Sequence, residues 1–137
     1  MENLANLSVY LSNPRISLKD KLLKICTTVK SAIPNCDRVG IWLFCLEHSE
    51  MISLMCVDEH GNKSTGEQLL ASDYNNYFSH IIEHEFLVAS DARNDAIAKC
   101  FNQGYFDVHN IHSLLDVTFK KDYVALGIIC CERTENK

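Results

Sequence analysis

The sequence predicts an α+β fold: a central, mainly antiparallel sheet of five to six strands with helices on both faces. Three observations carry this. Residues 111–133 hold two strongly apolar runs around the polar turn Lys120-Lys121-Asp122, the pattern of a β-hairpin. Residues 38–57 hold a second such pair around Glu47-His48-Ser49-Glu50. Two stretches, Ser17 to Ala32 and Ser72 to His84, carry apolar residues at helical rather than alternating spacing.

Taken in order, residues 1–16 form an N-terminal segment in which Leu4, Leu7 and Leu11 could make one apolar stripe before Asn13-Pro14 breaks it. Ser17 then caps a helix, with Asp20 favoured in its first turn and Leu18, Leu22, Ile25, Cys26 and Val29 on one face. Pro34 ends it near Ala32. Arg38 to Leu46 reads as a strand apolar on both faces, hence central, and Met51 to Val57 returns beside it. Asp58 to Gly66 reads as a polar loop and Glu67 to Ala71 as a short strand. Ser72-Asp73 is expected to cap the next helix, whose stripe is Tyr74, Tyr77, Phe78, Ile81 and Ile82. Phe86 to Ser90 is extended. A polar loop, Asp91 to Asp95, leads to a small helix with Ile97, Ala98 and Phe101 inward and Gly104 as its stop. In the last strand, Val124, Leu126, Ile128 and Cys130 are expected on one face and Tyr123, Ala125, Ile129 and Cys131 on the other.

The totals narrow the function. At 137 residues the chain can build one domain with a substantial core, and a 47% apolar, 23% charged composition is ordinary for a globular protein. A net charge of -5 gives no electrostatic footprint for nucleic acid or an anionic membrane surface. No apolar run is long enough to span a bilayer, and the first residues lack the pattern of a signal peptide, so a cytoplasmic location is expected. Seven cysteines without any Cys-x-x-Cys pair read as reduced, mostly buried small hydrophobes. Two metal-like strings fail on inspection. Asp58-Glu59-His60-Gly61-Asn62 lacks the third-position oxygen ligand and misplaces the glycine of a calcium loop. His80-Ile81-Ile82-Glu83-His84 matches H-x-x-E-H, but both histidines flank the apolar stripe and few third ligands are available. No metal and no cofactor is expected.

Four stretches in order resemble a GAF domain of the type attached to bacterial diguanylate cyclases and sensor histidine kinases. Arg38 to Phe44 is similar to the first strand of that family, and Leu70 to Phe78 to its middle helix. Val88-Ala89-Ser90-Asp91-Ala92-Arg93-Asn94-Asp95 resembles a "v-x-D-A-R-x-D" loop. Ser113-Leu114-Leu115-Asp116-Val117 with Gly127 to Glu132 resembles the closing "S-x-L-D-x-P … G-x-x-x-x-E" hairpin, with Thr118 where proline is common. The resemblance covers residues 17–133 as the GAF domain, leaving 134–137 as a tail that would begin a linker to an output domain.

What the resemblance implies is a PAS-like fold and a non-catalytic sensory or regulatory role: binding a small molecule, or relaying a signal as a homodimer to a C-terminal output domain. The implied pocket is lined by Trp42, Phe44, Asp91, Arg93, Asp95, Ser113, Leu115 and Asp116. Arg93 could fork onto a carboxylate or phosphate. The structural alternative is that Asp91 and Asp95 cap the small helix and Arg93 pairs with one of them or with Asp116. Asn62-Lys63 is present without a following F-x-x-x-D-E, which disfavours cyclic nucleotides, and no cysteine adjoins a histidine for covalent bilin attachment. The alternatives are a dimerisation module without ligand, and a free methionine-(R)-sulfoxide reductase with Cys100 as attacking thiol.

Overall fold

The computed structural model describes residues 4–134. Its centre is one antiparallel sheet built from seven strand segments: β1 (Arg38–Cys45), β2 (Glu50–Val57), β3 (Lys63–Ser64), β4 (Gln68–Leu70), β5 (Phe86–Ala89), β6 (Ile111–Lys121) and β7 (Val124–Thr134). The order across the sheet is β3-β2-β1-β7-β6-β5, with β4 also paired to β2. β1 and β7, the strands read as apolar on both faces, are each paired on both sides, as central strands are. The strand beyond the expected five to six is β3, two exposed residues within the stretch read as a loop. So short a segment has no periodicity to read. Thr134 belongs to β7 rather than to a tail; residues 135–137 lie outside the described residues.

The closing hairpin departs from the expected faces. Its two turn residues are Asp122 and Tyr123, both left-handed at φ 53 and 68, the twist that suits a two-residue connection. Phe119 pairs with Gly127 and Lys120 with Ala125, so Leu126 is an extra residue in a bulge. The bulge resets the alternation. Ala125 joins Ile128 and Cys130 in the core, whereas Leu126, Val124 and Tyr123 face solvent, Tyr123 at 95% exposure.

Two layers cover the sheet. On one face lies α2 (Leu18–Ala32), whose Ser17 cap accepts from the Asp20 amide at 3.1 Å. Cys26 of α2 packs with Val39, Ile41, Met55 and Val57. A short α1 (Leu4–Ser12) precedes it. This layer stops over β1 and β2, so Phe86, Val88 and Val117 remain exposed on the outer strands. On the other face lie α3 (Asn75–His84) and the helical connection 92–109, which bury Trp42, Tyr77, Phe78, Ile81, Phe101, Phe106 and Ile128 together. α3 begins after Tyr74 with no side-chain cap; Ser72 and Asp73 sit one turn earlier, where the Asp73 amide bonds to the Leu70 carbonyl. Gly104 does not stop the connection. The helical turns run on to His109, and left-handed Asn110 (φ 58) ends them. Glycine is needed at 104 for another reason: a Cβ there would lie 2.0 Å from the Tyr74 hydroxyl. No helix among the described residues is long and apolar enough to cross a membrane.

Candidate small-molecule site

Between the sheet and the helical connection, side chains from seven elements, including Met51 of β2 and Leu69 of β4, meet around a cavity of about 10 Å³. That is room for about one water molecule. β1 supplies Trp42, β6 Asp116, β7 Cys130 and Glu132, α3 Tyr77, and the connection Tyr105. The strand pleat explains the set: Cys130 and Glu132 are two apart and share a face, and Asp116 is the cross-strand partner of Cys130.

The polar content of this wall is unusual for a core. Asp116 and Glu132 are each 3% exposed. Glu132 is held by Arg38, whose Nε donates to Oε1 at 3.1 Å, and by the Tyr105 hydroxyl at 3.0 and 3.2 Å. Burial still holds its carboxyl above the usual range, against the pull of Arg38. No cation among the described residues pairs with Asp116. The Tyr77 hydroxyl donates to its Oδ2 at 2.6 Å. Burial, then the neighbouring Glu132 charge, push its carboxyl up to about 8, outweighing the hydrogen bonds from Tyr77 and Cys130. At neutral pH it is therefore mainly a protonated acid. Its second oxygen, Oδ1, has no partner, and neither has the indole Nε1 of Trp42. Two orphaned polar groups in the wall of one cavity are what a bound polar molecule would satisfy.

Of the eight residues the resemblance implied, Trp42 and Asp116 line this cavity. Phe44 is buried in the same core, its ring 6.0 Å from Phe78 and 5.0 Å from His48, but it is not in the cavity wall. The polar loop is occupied locally. Asp95 Oδ1 accepts from the Ile97 and Ala98 amides at 2.9 Å, and Asp91 Oδ2 accepts from Asn94 at 2.9 Å. Arg93 pairs with Asp107 at 2.6 Å, not with Asp91, Asp95 or Asp116, and also donates to the Ile111 and Phe106 carbonyls. Ser113 and Leu115 border a groove on the α2 side of the sheet, where Ser113 Oγ donates to the Ser90 carbonyl at 2.7 Å. Sequence reasoning passed over Tyr77, Tyr105, Cys130 and Glu132. The available signal was charge: Arg38 and Glu132 stand at facing ends of two apolar strands, where an isolated charge would be costly. The His80 and His84 rings lie 4.5 Å apart on the helix surface, and no group of three or more potential metal ligands occurs among the described residues.

No protein-family model matches the chain, and no curated protein matches it. Solved structures do. The phycocyanobilin-bound GAF domain of a cyanobacterial phytochrome superposes with a TM-score of 0.74 at 13% identity, covering 98% of this chain and 79% of that one. The GAF domain of a phosphoenolpyruvate-protein phosphotransferase from Coxiella burnetii gives 0.69 at 16% identity, covering 96% and 76%. The type II free methionine-R-sulfoxide reductase from Thermoplasma acidophilum gives 0.60 at 17% identity, covering 84% and 73%. The chain has the GAF fold.

Proposed function

We propose that this chain is a non-catalytic GAF sensory domain that binds a small polar molecule in the cavity between β1, β6, β7 and the helical connection. The observation that carries the reading is the pair of orphaned groups, Asp116 Oδ1 and Trp42 Nε1, in the wall of one buried cavity. Ser53 Oγ, Asn102 Oδ1 and Arg133 Nε are also unpaired, but these two belong to residues that line the same cavity, and an unpaired buried polar group costs about 1–3 kcal/mol. A ligand that occupies the site stabilises the conformation that fits it, and this population shift is what an attached output domain would read. A homodimer and a C-terminal output domain are part of this proposal, supported by the resemblance and by the sensory neighbours of the same fold.

The reductase alternative has less support. Cys100 is half-buried, burial raises its thiol, and it does not line the cavity. An attacking thiol needs the opposite shift.

A thermal-shift screen tests the reading with purines, amino acids, amines, carboxylic acids and methionine sulfoxide. A compound at about 100 times its Kd adds about 2.7 kcal/mol, several degrees for a domain of this size. The expected hit loses its effect in Trp42→Phe and Asp116→Asn. A hit that both variants keep would place binding elsewhere and overturn the assignment of this cavity.

A further inference from the structure

We propose that Cys36 and Cys131 form a redox-active pair, which hydroperoxides oxidise to an intramolecular disulfide joining the turn between α2 and β1 to β7. The two residues are 95 positions apart in sequence. The fold brings their side chains together on the face of the sheet opposite the interior cavity. Cys131 pairs across strands with Val39, at the start of β1. Cys36 lies in the turn that enters that strand, which is fixed by the Cys36 amide bonding to the Ile33 carbonyl and the Asp37 amide to the Glu132 carbonyl. Both residues line one groove, and the Cys36 Sγ lies 3.6 Å from the Arg38 carbonyl at the start of β1.

Access and polarity favour the same two residues. Both border a groove of about 250 Å³ between the 33–36 turn and the ends of β5, β6 and β7. Cys36 is partly exposed there and Cys131 is buried. The Cys131 thiol, then backbone groups of Arg38 and Glu132, favour charge on the Cys36 sulfur against its burial, so its thiol is lowered while that of Cys131 is raised. A thiolate therefore forms more readily on Cys36 than on Cys131. Of the remaining five thiols, Cys45 is partly exposed at the end of β1, outside that groove, where its Sγ donates to the Leu43 carbonyl at 3.7 Å, and the other four differ in kind. Burial pushes Cys26 up to about 12 and Cys56 up to about 11, Cys130 is raised within the interior, and Cys100 is raised on the connection. Reactivity follows thiolate character and access, and Cys36 combines the two.

The chemistry balances with the peroxide as oxidant. The Cys36 thiolate attacks one peroxide oxygen; an S–O bond forms, the O–O bond breaks, and the departing oxygen leaves as water after taking a proton. Cys131 then attacks the sulfenic sulfur; an S–S bond forms, the S–O bond breaks, and hydroxide leaves with the Cys131 proton as a second water. Two thiols and one hydrogen peroxide give one disulfide and two waters, a two-electron oxidation. A thiol reductant reverses it by exchange.

The test treats the full chain with a small molar excess of hydrogen peroxide, blocks remaining thiols by alkylation, and maps peptides by mass spectrometry. The expected result is a fall from seven free thiols to five, one Cys36–Cys131 cross-linked peptide within a single chain on a non-reducing denaturing gel, and full recovery with dithiothreitol. The oxidised protein should also melt several degrees higher, because the bond closes a long loop. In Cys131→Ser, Cys36 should stop at the sulfenic acid and be trapped by dimedone; in Cys36→Ser, Cys131 should stay reduced. The wild-type map needs no variant to fold. If Cys36 and Cys131 stay reduced, pair with other cysteines, or link two molecules, the proposal is wrong.

Discussion

Asp116→Asn is the sharpest test of the interior electrostatics, because its effect depends on pH in a way that packing cannot imitate. In the unfolded chain this carboxyl titrates near 3.9; in the fold it is pushed up to about 8. Below about pH 3.9 both states hold the proton, and the stability linked to it is fully present. Between about 3.9 and 8 the unfolded chain has released the proton and the native state still holds it. Stability then falls as pH rises, by about 1.4 kcal/mol per pH unit. From pH 5 to pH 7 the loss from this group alone is about 2.7 kcal/mol. Asparagine cannot ionise, yet its carbonyl can still accept from Tyr77. Asp116→Asn should therefore gain about 2.7 kcal/mol relative to wild type between those two values. Histidines and Glu132 contribute to both proteins and cancel in the difference, since Asp116 is uncharged over most of this range. Equilibrium urea denaturation at pH 5, 6 and 7, with equal m-values, measures it. Two parallel stability–pH curves would refute the reasoning and show that water reaches Asp116.

Gly127→Ala should be among the costliest single changes in the chain. Its Cβ would lie 2.1 Å from the Trp42 carbonyl and 2.4 Å from the Phe119 ring, and the carbonyl cannot retreat without opening the β1–β7 ladder. A loss of about 3 kcal/mol is expected, read as a lower urea midpoint at unchanged slope; a loss within experimental error would mean the bulge relaxes freely. Arg38→Met removes the cation bonded to the Glu132 carboxylate and should cost about 3–5 kcal/mol. Arg38→Met with Glu132→Gln should recover most of it in thermal unfolding, and a single variant as stable as wild type would show that Glu132 is neutral in the fold.

Much of the architecture was legible because it rests on periodicity. The two central strands announced themselves by being apolar on both faces, and α2 by its stripe and its Ser17 cap. What was not legible depends on single residues without a pattern. The bulge at Leu126 turns the face of every residue toward the hairpin tip, and nothing in an apolar run marks where one residue is extra. Gly104 reads as a helix stop, yet its role is the close approach of Tyr74, a contact 30 residues away. The candidate site was half legible. Trp42 and Asp116 sit in recognisable strand motifs, but Tyr77 and Tyr105 read as ordinary stripe or connector aromatics, and only the fold shows their hydroxyls turned onto buried carboxylates. The polar loop 91–95 drew attention by composition, and its side chains bond mainly to their own segment.

The cavity holds about one water, so any larger occupant must displace a wall. Seven elements form that wall, and they do not yield equally. β1 and β7 are each bonded to strands on both sides, and moving them breaks two ladders. The connection 92–109 is a chain of single helical turns, held to the sheet by its buried aromatics, by the Tyr105 hydroxyl on Glu132 and by Arg93. That side chain donates to the Ile111 carbonyl at 2.9 Å, the Phe106 carbonyl at 3.1 Å and the Asp107 carboxylate at 2.6 Å, tying both ends of the segment to the start of β6. Arg93 thus ties the connection to the start of β6. Arg93→Ala should remove about 2 kcal/mol of local stability, discounting the partly exposed Asp107 pair. Amide hydrogen exchange should then speed up roughly thirtyfold across 98–109 and stay unchanged in β7. If exchange rises equally in β7, the connection and the sheet open as one unit, and entry to the cavity by way of this segment is ruled out.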